Sequence, residues 1–318
     1  MPHDLRDTVV DFIKDWAEKT QISKSQLLRW ASLNEGKFYA WVERYGKANE
    51  HNGKIPRDFW LEDWEKEAIL RFHSENPLEG YRRLAFMMID CNLVCVSPSS
   101  VYRVLKDAGV IDKRNSKTSL KGTGFVPPRR PHEHWHVDVS YLNISGTFYY
   151  LASVLDGYSR AIVSWELREC MKEGDLELVI QKAREKYPGE TPRIISDRGP
   201  QFVSRDFKEY IRICGMTHVL TSPYYPQSNG KIERYHRTMK EKTVRRNCPE
   251  TIEEALLQMT SFVEDYNTKR LHSGIGYVTP ADMLAGRAEE IQKIRDDRLE
   301  KARALRAVKR ERKENQFS

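Results

Sequence analysis

The 318-residue chain has few cysteines, no long apolar run and no internal repeat. Its five cysteines are scattered and odd in number, which argues against a disulfide framework and points to a reducing compartment. The longest apolar runs are only a few residues, too short for a membrane-spanning helix. The first residues, MPHDLRDTVVDFIKDW, bring acids early and lack an apolar core, so they do not read as a secretory signal. The expectation is therefore a cytoplasmic protein with no membrane partner. Hydrophobic residues make up 39% and charged residues 31%, which excludes a disordered or fibrous chain. The formal charge of +7 invites a polyanionic partner.

Along the chain, residues 1–50 read as helices. Ser23 with Gln26 forms a capping box, and Leu27, Leu28 and Ala31 share a face; Asn34 caps a second helix carrying Phe38, Trp41 and Val42. A helix-turn-helix and an ordinary helical hairpin both fit this segment. Residues 58–112 form a second helical set: Trp60 to His73, Tyr81 to Asp90, and a helix capped by Ser97 with Pro98 at its first position. The last of these exposes Ser100, Arg103 and Lys106, residue types that touch phosphates and bases, and makes this the better helix-turn-helix. The alternative is a small three-helix bundle with a solvated face. Residues 113–130 are a basic linker ending in Arg129 and Arg130, which either follows a nucleic-acid backbone or serves as a tether.

At about residue 131 the pattern changes. WHVDVSYL, TFYYLASVLD and RAIVSWEL read as a three-strand meander. A helix, the strand PRIIS, a helix, the strand THVL and a long helix over about 228–246 follow. That order predicts an α/β domain over 131–285 with a mixed five-stranded sheet and flanking helices. Residues 286–318 read as a basic C-terminal helix with only a partial apolar stripe. It can pair with another chain, lie on DNA or fray.

Three acids fall at distinctive places. Asp138 interrupts an apolar strand, where a carboxylate is costly unless paired or metal-bound. Asp197 follows a strand and opens SDRGPQF. Glu233 lies one turn into a helix, with 35 residues between it and Asp197. Asp197 is also a natural turn former and Glu233 an ordinary surface carboxylate. Taken together, the three can converge at one end of a sheet. Three carboxylates suit hard cations, magnesium or manganese, and two such ions can activate an attacking oxygen and stabilise a leaving one at a phosphodiester.

HWHVDVSYL, IISDRGPQFVS and SPYYPQSNGKIERYHRTMK resemble the three signature blocks of the retroviral-integrase superfamily, whose core is RNase H-like with an Asp-Asp-Glu triad. DYNTKRLHSGIGYVTPADM resembles the block that closes this domain in bacterial insertion-sequence transposases. GYRRLAF and VYRVLKDAGV are similar to the preceding helix-turn-helix of their OrfB-type products. The resemblance covers about residues 25–285. Leu271 stands where the family often has Pro, and no zinc-binding His-His-Cys-Cys module is present in the sequence. His132, His134 and His136 alternate, but no further ligand gives them a metal role.

The resemblance implies Asp138, Asp197 and Glu233 as catalytic residues and as ligands of two magnesium ions, with manganese as a substitute. It also implies metal-dependent 3′-end cleavage and strand transfer on double-stranded DNA, terminal-repeat recognition by the N-terminal helical units, at least two copies in the active complex, and an upstream-frame partner. Helical spacing puts Asn229, Arg237 and Lys240 on the face of Glu233, positioned for DNA phosphates. Tyr224, Tyr225 and Gln227 precede that helix in the implied active-site loop, where aromatics can stack on an unpaired base. Two rivals are an RNase H-type nuclease, which needs neither Lys240 nor the flanking helical units, and a non-catalytic DNA-binding regulator of transposition, which needs only the first 112 residues.

Overall fold

A computed structural model describes residues 3–47, 60–111, 127–221 and 229–316. The chain divides into two units, Met1–Trp60 with Arg306–Ser318, and Leu61–Leu305.

The first unit holds α1 (His3–Thr20), α2 (Lys24–Trp30) and α3 (Glu35–Glu43) around Val10, Ile13, Leu28 and Phe38. Ser23 Oγ accepts from the Gln26 N–H and Asn34 Oδ1 from the Lys37 N–H, so both starts are capped by the residues expected. Buried Arg6 donates to the Arg44 and Lys47 carbonyls beyond the end of α3.

The second unit begins with α4 (Asp63–Glu75), α5 (Tyr81–Asp90) and α6 (Pro98–Asp107). They close over Ile69, Leu84, Met88, Val101 and Leu105. The first helix starts at Asp63 rather than Trp60, because Glu62 and Glu65 form a reciprocal capping box there. Ser97 caps α6 with Pro98 in its first turn. Ser100 departs from expectation. It is 8% exposed and its Oγ sits 3.1 Å from Ser97 Oγ, so it serves the cap instead of the outer face.

The sheet is built from β1 (His134–Ile144), β2 (Thr147–Asp156), β3 (Ile162–Arg168), β4 (Arg193–Ser196) and β5 (Thr217–Leu220), between which run α7 (Glu173–Lys186), α8 (Pro200–Val203) and α9 (Arg205–Ile213). Strand order is β3-β2-β1-β4-β5. The β1–β2 and β2–β3 pairs are antiparallel, and β4 joins β1 and β5 in parallel. This is the mixed five-stranded, RNase H-like sheet expected.

Side chains alternate across β1. Trp135 and Val137 enter a core with Leu176, Val179, Phe207 and Ile211 of α7 and α9. Leu142 and Ile144, of the opposite parity, enter a core with Ile232, Tyr235 and Met239 of α10 (Gly230–Lys242) and Met259 and Val263 of α12 (Ile252–Thr268). Asp138 shares the parity of Leu142, so it faces α10.

The helix expected to run to residue 246 stops at Lys242. Buried Thr243 bonds back from Oγ1 to the Met239 carbonyl at 2.7 Å and adopts φ −110°, ψ −87°, which starts the short α11 (Val244–Asn247). Beyond α12 come α13 (Pro280–Leu284) and α14 (Ala288–Gln316). In the second unit, Arg295 of α14 forms a bidentate pair with Asp90 at 2.7 and 2.6 Å, and Arg298 donates to the Ile89 and Asp90 carbonyls. The latter bonds add a side-chain donor to the carbonyls at the end of α5. No described helix is long and apolar enough to cross a membrane.

Candidate active site

Asp138 lies in the middle of β1, directly across the ladder from Ser153 of β2. Its Oδ1 accepts the Val139 N–H at 2.9 Å. Its Oδ2 lies 3.3 Å from His236 Nδ1, and His236 Nε2 lies 3.2 Å from Ser153 Oγ. His236 is 5% exposed, so the imidazole is fixed between the two strands and holds the Asp138 carboxylate in place.

Glu233 projects from α10 one turn before Arg237. Asp138, Glu233, Ser140, His236, Arg237, Lys240 and Arg245 line one pocket of about 290 Å³. The i, i+4, i+7 spacing thus brings Glu233, Arg237 and Lys240 to one cavity. Burial and the Arg245 guanidinium push the Lys240 ammonium below its ordinary pKa, while Asp138 pulls the other way.

Asp197 follows β4 and is exposed. Its Oδ1 accepts the Gly199 N–H at 2.9 Å, and it does not line the pocket of Asp138 and Glu233. Among the described residues, no group of three His, Cys, Asp or Glu side chains is gathered to hold a metal. The donors that do meet are hard oxygens, two carboxylates and the Ser140 hydroxyl, the set that suits magnesium.

The remaining candidates are dispersed. Asn229 is 4% exposed and stands outside the lining of that pocket. Arg103 and Lys106 are exposed on α6. Arg129 and Arg130 are exposed ahead of β1. The Arg129 N–H donates to Glu133 Oε2, and the Arg130 guanidinium lies 3.9 Å from Glu190. Tyr224, Tyr225 and Gln227 lie outside the described residues, as does most of the basic linker. His134 and His136 are buried on β1, whereas His132 precedes the strand with a φ of +57° and accepts from the Trp135 indole.

Sequence reasoning passed over His236, Ser140 and Arg245. His236 follows Glu233 by three residues and Ser140 follows Asp138 by two, spacings that share a helix face and a strand face. Arg245 joins the pocket from the short α11 that follows the break at Thr243.

The integrase core domain family matches residues 128–226, and a second integrase core domain family matches residues 214–280. The chain is 28% identical over 154 residues to the transposase for insertion sequence element IS904 of Lactococcus lactis, covering 48% of this chain and 61% of that protein. It is 25% identical over 270 residues to the putative transposase InsK for IS150 of Escherichia coli K12, covering 81% and 92%. It is 23% identical over 275 residues to an uncharacterized 31.7 kDa protein of insertion element IS407 of Burkholderia multivorans, covering 84% and 92%. The HTLV-2 integrase catalytic core domain in complex with magnesium superposes with a TM-score of 0.41 at 18% identity, covering 49% of this chain and 97% of that one. The matched families span the whole sheet and the helix of Glu233, so the chain carries an integrase core domain similar to that of insertion-sequence transposases.

Proposed function

We propose that this protein is a transposase that cuts DNA at the ends of its element to leave a 3′-hydroxyl and joins that hydroxyl to a second phosphodiester. The observation that carries the reading is the pocket that Asp138 and Glu233 line together with Arg237, Lys240 and Arg245. Carboxylates beside a row of cations serve a substrate that is itself an anion. The cations hold phosphates, and the carboxylates mark where the reacting phosphodiester sits.

Asp138, Glu233 and Asp197 would hold magnesium, with Asp197 leaving its bond to Gly199 to complete the set. Two bound divalent cations supply activation of the attacking oxygen and stabilisation of the leaving one. His236, tied to Ser153, orients Asp138. Arg237 and Lys240 position the cut strand, so that the 3′-hydroxyl stays at the site between the two reactions. No bond between protein and DNA is required.

The helical units ahead of the sheet read the terminal inverted repeats, with Arg103 and Lys106 on the outer side of α6 and Arg129 and Arg130 following the backbone. Tyr224, Tyr225 and Gln227 engage the unpaired end. Two copies at least bring two ends together, and the product of an upstream frame is a further partner. The protein acts in the cytoplasm on nucleoid DNA.

The test is a strand-transfer assay with labelled element ends and magnesium or manganese. Wild type yields cleaved and joined products, and Asp138→Asn yields neither while still binding the ends. Joining by Asp138→Asn at wild-type rate would refute the assignment.

A further inference from the structure

A second cationic cavity lies on the other side of α10. Lys231 and Arg234 of α10, Arg83 of α5, Arg160 from the β2–β3 turn, and Arg270 and His272 after α12 line a volume of about 320 Å³ that no carboxylate lines. That volume sits at the small end of ligand-sized cavities. Five basic residues from four stretches of sequence converge on this space, and the carboxylate of Glu79 outside its lining answers only two of them.

Glu79 accounts for part of the charge. It pairs with Arg83 and lies 3.4 Å from Arg270. Asp156, nearest in sequence to Arg160, is spent on the His132 and Ser159 N–H groups and the Ser159 hydroxyl. Among the described residues Arg160 and Arg234 form no ion pair. Arg160 Nε and His272 Nε2 are buried with no hydrogen-bond partner. A buried donor without a partner is costly.

The backbone is also committed to this arrangement. Arg160 has a φ of +68°, in the left-handed region that non-glycine residues rarely occupy. Its N–H donates to the Asp156 carbonyl at 2.9 Å, and Gly274 lies against its guanidinium. Burial lowers the Arg160 pKa and outweighs the opposing pull of Tyr266 and Asp156, and burial together with the surrounding arginines holds His272 down to about 3. The imidazole is therefore neutral at working pH, and the pocket still carries a surplus of positive charge.

We propose that this pocket takes a phosphate group, bound by Arg160, Arg234 and Lys231 with His272 as a neutral partner. Because α10 presents Glu233, Arg237 and Lys240 to one cavity and Lys231 and Arg234 to the other, the favoured source is a backbone phosphate of the DNA held at the catalytic pocket. That choice of source rests on the function proposed above. The pocket's affinity for phosphate does not.

The experiment has two arms on the full chain. In the first, inorganic phosphate is titrated against melting temperature, with chloride at matched ionic strength as control. Wild type shows a saturable rise, and Arg234→Gln loses it. Arg234 is exposed, so its variant folds even if Arg160→Gln does not. In the second, duplex DNA binding is followed by anisotropy across a salt series. Arg234→Gln binds about tenfold more weakly and its salt slope falls by about one. Loss of the phosphate response with unchanged DNA binding supports the pocket and assigns it to free phosphate. No DNA binding by wild type, with the phosphate response intact, overturns the proposed function and leaves the pocket standing. No difference between wild type and both variants in either arm overturns the proposal.

Discussion

Removing the Asp90 carboxylate strands a deeply buried charge of the second unit. The Arg295 side chain is 1% exposed and Asp90 34% exposed. The guanidinium makes two bonds to Asp90, one to the Tyr277 carbonyl at 2.9 Å, and lies 4.9 Å from the Phe86 ring centroid. Breaking a buried pair by deleting one partner costs about 3–5 kcal/mol. Asp90 is one-third exposed, so water partly replaces it, and the expected cost of Asp90→Ala falls to about 2–3 kcal/mol. For a unit of this size that lowers the melting temperature by roughly 4–12 °C.

Arg295→Met should behave differently. It withdraws the buried charge, keeps an unbranched stem over Phe86, and returns Asp90 to water, so it costs about 1 kcal/mol. The double variant should be close to Arg295→Met alone. Calorimetry of the full chain, read at the transition carrying residues 61–305, measures all four proteins. Equal costs for the two single variants that add in the double variant would show that the pair is no stronger than a surface contact and that burial of Arg295 is immaterial.

Asp197→Asn should lower cleavage and strand transfer together by orders of magnitude in a labelled-end assay while end binding survives, because a neutral amide is a poor ligand for a hard dication. Retained joining would make Asp197 a turn residue serving only Gly199. Lys240→Ala should leave that chemistry possible but weaken binding of the cut end and lower its salt slope by about one in anisotropy. Glu79→Gln tests a pH dependence. Burial alone would raise the Glu79 pKa, but Lys242, Arg83 and Arg270 outweigh it and hold it below the ordinary 4.5. Its contribution is therefore full above that value and fades as pH falls through the lowered one. Wild type should exceed Glu79→Gln in urea stability at neutral pH, and the gap should close in acid. A gap constant down to the acid limit would refute the assignment.

Much of the sheet was legible because each strand announces its own burial. The aromatic and β-branched runs around Asp138 and along 147–156 are short and bounded, and THVL appears as β5 with the expected limits. The joint face of Glu233, Arg237 and Lys240 was legible for the same reason, since helical spacing is local. His236 was harder to see. Its role is fixed by Ser153, eighty-three residues away, through a cross-strand register that no local pattern encodes. The break at Thr243 rests on one hydroxyl choosing a carbonyl four residues back. Ser100 was assigned outward because small polar residues usually are, whereas its cap geometry turns it in. The cavity of Arg83, Arg160, Arg234 and Arg270 exists only once four separated segments are folded together.

The bonds that Arg295 and Arg298 make to the end of α5, with those of Glu79 to Lys242 and Arg270, have a metrical consequence. They bolt α4–α6, within the second unit, onto the body that carries Asp138 and Glu233. If α6 grips duplex DNA as proposed above, a unit assembled in this way would act as a ruler, and the phosphodiester offered to the two carboxylates would lie a set number of base pairs away. The boundary of the element would then be read as a length as well as a sequence, and loosening the bolts at Asp90 should scatter the cuts over neighbouring positions.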